Sequence, residues 1–147
     1  GESQGAISGK VFLGDVHPSL HDAVLGIRRD VEGDSLAVVE TRSSPALLAA
    51  VDAAVKSTPV VLSEVRLGDD LGGHALALMS GDLFDVETAL DICSERAGEQ
   101  IRARTLLPRL DPDLRSILDQ GTRFGSCAAW EPSGAEYPEE VACSWDA

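Results

Sequence analysis

The chain has 147 residues and a net charge of −13, from 12 basic and 25 acidic side chains; 44% of it is hydrophobic but only 4% aromatic. That length suits one domain plus appendages, and the acidic balance excludes nucleic acid and anionic membrane surfaces, which need a positive face. Ala, Leu and Val must then fill the interior, as in a thin layer of helix on sheet. No apolar run is long enough to span a bilayer, and the polar start Glu2-Ser3-Gln4 is not a secretory leader, so a cytoplasmic protein is expected.

In chain order, the first pattern is an internal repeat. Ile7 to Leu20 parallels Ile101 to Leu114 at a constant offset, with Ile, Leu, Pro and Leu recurring identically. Both copies read as a strand followed by x-Pro-x-Leu opening a short helix. His17 and His21 stand four apart beside Asp22, a spacing that can put two imidazoles on one helical face. Zinc wants at least a third protein ligand and none is evident, so they are weak metal candidates and no cofactor is expected.

After the turn-prone Glu32-Gly33-Asp34, residues Ser35 to Thr41 read as a strand. Ser44 is placed to cap the next helix, with Pro45 in its first turn, where a missing N–H costs nothing. Leu47, Leu48, Val51, Ala54 and Val55 give that helix one apolar stripe, and Thr58-Pro59 stops it. Val60 to Leu67 and His74 to Ser80 form a hairpin around the glycine-rich turn Gly68 to Gly73. Asp82 starts a second helix, with Leu83, Val86, Ala89, Leu90 and Cys93 inward and Glu87, Asp91 and Glu95 outward; Gly98 ends it. Gln100 to Leu107 is a fourth strand, and Pro112 to Leu118 a short final helix.

The order β-α-β-β-α-β predicts an α+β fold, a four-stranded antiparallel sheet with two helices on one face, of ferredoxin-like type. Residues 1–34 then form an N-terminal extension holding the partial repeat, 35–120 the domain, and 121–147 an irregular acidic tail with Trp130, Trp145, Cys127 and Cys143. Cys127 and Cys143 could pair, though a cytosolic setting disfavours it. Cys93 reads as a core residue, the wrong environment for a nucleophile. Gly68-x-x-x-Gly72-Gly73 joins two strands and offers no helix N-terminus to a phosphate. Enzyme chemistry is therefore not expected.

Taken jointly, Val38-Val39-Glu40-Thr41, Asp52-x-x-x-Lys56, the hairpin from Arg66 to Gly73, Ser80-Gly81-Asp82 and Leu107-Pro108-Arg109 resemble the shell domain of bacterial microcompartments. The likeness covers residues 35 to 118 and is nearest to the second domain of tandem, trimer-forming shell proteins. It implies a structural protein that assembles with itself, as a hexamer or as a trimer of tandem chains, and with other shell proteins around enclosed enzymes. It further implies tile-edge roles for Asp52, Lys56, Pro108 and Arg109, and a pore lined by Gly68, Asp69, Asp70, Leu71 and Gly72. The competing reading is a ferredoxin-like regulator that binds small molecules between subunits.

Overall fold

The computed structural model describes residues 9–68 and 71–120. Its elements are α1 (Pro18–Val24), β1 (Ser35–Thr41), α2 (Ser44–Ser57), β2 (Val61–Leu67), β3 (Ala75–Gly81), α3 (Leu83–Ala97), a 3₁₀ turn (Gly98–Gln100), β4 (Ile101–Leu107) and α4 (Pro112–Asp119). The strands form one antiparallel sheet in the order β2-β3-β1-β4. The α+β reading of the sequence holds, with strand and helix bounds within a residue or so of expectation.

Alternation along β1 divides the sheet into two faces. Ala37, Val39 and Thr41 point to the side covered by α2 and α3, and pair across the sheet with Met79, Ala77 and Ala75. The two helices pack on each other as well as on the strands, and their Ala50, Ala54, Ala89 and Cys93 are all fully buried. Small side chains let the layers approach closely and leave Leu47, Leu62 and Met79 as the bulk of the filling. Burial pushes the Cys93 thiol up to about 12, which keeps it protonated and inert.

Leu36 and Leu78 point to the opposite face, where they meet Val31, Leu110 and the partly buried Leu114 and Leu118 of α4. The linker ahead of β1 is threaded between this face and α4. Arg115 donates to the carbonyls of Val31 and Gly33, Leu110 N–H donates to Asp34 O at 2.7 Å, and Glu32 N–H donates to Ser80 Oγ at 3.0 Å. Gly33 passes so near β3 that an added Cβ would lie 2.4 Å from the Gly81 carbonyl, and its φ of +67° also favours glycine.

Three local expectations are corrected. The residue preceding α2 is Ser43 rather than Ser44; its hydroxyl makes no cap and lies 3.4 Å from Gln100 Oε1. Leu83 is 40% exposed, because it opens α3 ahead of the first turn that reaches the core. Residues 9–13 form no strand: Gly9, Lys10 and Val11 lie beside Ser43, Pro45 and Ala49 of α2 and its entry, with Gln100 ahead of β4 on the same depression. Ile7 and the tail from 121, with its Trp and Cys residues, lie outside the described residues. No helix among the described residues is long and apolar enough to cross a membrane.

Candidate functional site

The most organised polar cluster sits at the end of α2. Asp52 and Lys56 are four residues apart, the spacing that stacks side chains on one helical face. Lys56 Nζ donates to Asp52 Oδ2 at 2.6 Å and also to the backbone carbonyl of Asp15. The second Asp52 oxygen accepts from the His17 backbone N–H at 2.9 Å. Asp52 is only 5% exposed, so both its oxygens need such partners. Lys56, to which the resemblance gives an edge role, is thus already engaged by partners within the chain, while its position in the last turn of α2 also suits the helix dipole.

This cluster fastens residues 9–26, an arm that runs along α2 from Pro45 at its start to Lys56 at its end. The arm finishes as α1, whose Leu20 and Ala23 are buried in the core shared with α2 and β2. His17 precedes α1 and its ring accepts from Ser19 N–H, so it caps the helix instead of sharing a face with His21. His21 is exposed and lies 3.5 Å from Asp22. Hydrogen bonds from Arg29, then His21, hold the Asp22 carboxyl below its usual range. No cluster of three metal-ligating side chains occurs among the described residues.

A second ionic clamp fixes β2 beneath α4. Glu64, 5% exposed, accepts from Arg28 at 2.8 Å and from Arg66 at 2.6 Å, and Arg28 reaches on to the Leu118 carbonyl at 2.8 Å. Sequence reading missed this clamp; its only signal is the Glu64-x-Arg66 spacing, which puts both on one face of a strand. Arg28→Ala is expected to cost about 2 kcal/mol, less than a fully buried pair because Arg28 keeps some solvent. A shift in the denaturation midpoint checks this; a loss under about 0.5 kcal/mol would show that Arg66 alone satisfies Glu64.

The other predicted residues lie in two turns. Pro108 and Arg109 are exposed between β4 and α4, and the Pro108 carbonyl accepts from Ser35 Oγ at 2.9 Å. Arg109 borders a depression of about 410 Å³ shared with Asp34 and Arg115. Gly68, Leu71 and Gly72 lie in the β2–β3 loop, closed by Leu71 N–H donating to Gly68 O at 2.8 Å; Asp69 and Asp70 lie outside the described residues. His74 follows this loop and stands 3.5 Å from Glu40, which also receives Arg102. A wider, open depression of about 490 Å³ between α3 and β4 is bordered by Glu87, Asp91 and Arg104.

Comparison with known proteins places this geometry. Residues 35–110 match the family model described as the BMC domain. The chain is 33% identical over 101 residues to the bacterial microcompartment shell protein PduT of Citrobacter freundii, covering 67% of this chain and 55% of that protein. It is 34% identical over 91 residues to the carboxysome assembly protein CcmO of Synechocystis sp., covering 60% of this chain and 30% of that protein. The chain therefore spans about half the length of the first relative and less of the second. Among solved structures, a microcompartment protein from Desulfitobacterium hafniense superposes with a TM-score of 0.67 at 27% identity, over 71% of this chain and 59% of that one.

Proposed function

Because the chain belongs to the BMC domain family and shares the structural role of its microcompartment shell proteins, we propose that it forms cyclic tiles that pack side by side into the shell wall. The observation that carries this is the joint match of fold and sequence over the β1–β4 unit. A wedge-shaped domain repeated about an axis closes a ring and leaves an opening at its centre. In this reading the ring is a hexamer of single domains or a trimer of tandem chains. The tiles lie in the shell of a cytoplasmic compartment, beside other shell proteins and against the enzymes they enclose.

Arg109 is exposed on a turn, where a long cationic side chain can reach backbone carbonyls of an adjoining tile. Lys56 offers its stem to the same junction while its ammonium stays with Asp52 and Asp15. Asp52 and Pro108 hold these two in place. Negative-stain microscopy of purified protein tests the proposal: flat arrays or hexagonal tiles are expected. Small discrete oligomers that respond to a metabolite would favour a ligand-binding regulator in its place.

The glycine-rich β2–β3 loop is the element proposed to face the central opening, with Gly68, Leu71 and Gly72 flanking the two aspartates. A ring of Asp69 and Asp70 side chains would favour cations over anions and raise its own pKa values by mutual repulsion. Replacing both by Asn is expected to shift permeability toward anions, measured as ion flux through tiles in a planar bilayer. Unchanged selectivity would remove the loop from the opening.

A further inference from the structure

An ionic group of three stands where the β2–β3 loop rejoins the sheet. Along β3, Ala75 and Ala77 point to the helix-covered side and Leu76 to the opposite face. His74 precedes them in step with Leu76. In the strand register Leu76 lies between Glu40 of β1 and Arg66 of β2. His74 Nδ1 comes within 3.5 Å of Glu40 Oε1, and the same oxygen accepts from Arg102 Nη1 at the start of β4. The side chains of His74 and Glu40 are 27% and 18% exposed, and that of Arg102 is 49% exposed. The group is partly sheltered and still reached by solvent ions.

One member of this group can change charge near neutrality. Arg102 stays cationic, and with Glu40 ionised the two cancel. Imidazole exchanges its proton between about pH 5 and 8. At 3.5 Å the His74–Glu40 contact is longer than an ordinary N–H···O hydrogen bond, so charge governs it. The group is thus neutral with a neutral His74 and carries one positive charge with a protonated one. Charges on the neighbouring elements are engaged elsewhere. Arg66, across Leu76 from Glu40, is held by Glu64 at 2.6 Å. Arg115 and Asp119 of α4 are bonded to the backbone of Val31 and Gly33.

We propose that His74 makes ion selection at the opening depend on pH, an inference that rests on the reading in which the β2–β3 loop faces that opening. Rotation about the axis repeats the imidazole in three or six copies beside the aspartates. At the alkaline end, Glu40 and Arg102 cancel, the aspartates dominate and cations are preferred. As pH falls through the imidazole range, every copy gains a positive charge that opposes those carboxylates. Small anions such as carboxylates and phosphate esters then meet a lower barrier. Arg102 is the positioning residue: it neutralises Glu40, so the proton on His74 adds charge instead of only cancelling it.

The probe is a potassium chloride gradient across a planar bilayer holding the tiles, read as the reversal potential at about pH 5.5 and about pH 8. Asp69 and Asp70 titrate as well, so the decisive background is the chain carrying Asp69→Asn and Asp70→Asn. In that background, acidification is expected to lower the preference for potassium over chloride by about threefold or more. Adding His74→Gln should flatten the response, and adding His74→Arg should hold the acid-side preference at both pH values. A double-Asn chain that ignores pH overturns the inference, as does a response that survives His74→Gln. The two readings fail separately. If the Asn substitutions alter selectivity and only the pH response is missing, the opening stands and the role of His74 falls; if they alter nothing, both fall.

Discussion

Arg109→Ala is expected to abolish extended arrays while leaving the mass of the individual oligomer and the melting temperature unchanged. The side chain is exposed on the β4–α4 turn, so its loss removes no buried contact from the fold. Each junction would lose about 1–2 kcal/mol of charge-assisted hydrogen bonding. Because the same contact repeats around every ring, the loss multiplies and the concentration needed for array growth should rise by well over tenfold. Light scattering and negative-stain microscopy read the arrays; native mass reads the oligomer. An oligomer that dissociates would move Arg109 from the outer rim to the inside of the ring. Lys56→Ala should act in the same direction but with a second effect, because it leaves the buried Asp52 carboxylate with only the His17 amide.

Gly33→Ala is expected to be the most damaging single substitution for the fold, at about 3 kcal/mol or more. Two independent costs coincide there: a positive φ that a Cβ opposes, and a neighbouring backbone carbonyl 2.4 Å from where that Cβ must go. Neither atom belongs to a flexible side chain, so relaxation requires moving the linker off β3. That movement would break the Glu32–Ser80 and Leu110–Asp34 hydrogen bonds. Chemical denaturation measures the loss, and Gly26→Ala is a control: it shares a positive φ but has open space around it. If the two variants lose equal stability, the close approach contributes nothing.

Much of this architecture was legible from residue order. Helical spacing in α2 and α3, the glycine-rich hairpin loop and the Asp-Pro opening of α4 each follow from local chemistry, and the observed elements fall where those signals lie. Local signals failed where a long-range contact decides. The cap expected of Ser44 does not form: Ser43 precedes α2 instead, and its hydroxyl lies beside Gln100, a residue distant in sequence. The segment ahead of α1 has the composition of a strand, but pairing needs a free sheet edge, and it lies on α2. The site was half visible. Asp52-x-x-x-Lys56 announces an i,i+4 pair, but nothing in the spacing reveals that the same carboxylate also holds the His17 amide thirty-five residues away. The Arg28–Glu64–Leu118 chain is hidden for the same reason, since its members come from three separate segments.

The alanine lining between sheet and helices has a mechanical corollary. Ala37, Ala50, Ala54, Ala77 and Ala89 are all fully enclosed, and alanine has no rotamers to lose or exchange. Where these alanines meet, the two layers approach to near backbone contact, with Leu47, Leu62 and Met79 filling the rest, so the thickness is closely fixed. In the proposed tiles, variation in the exposed turns would leave that gauge untouched, so permeability would be retuned without warping the plane into which the units are laid.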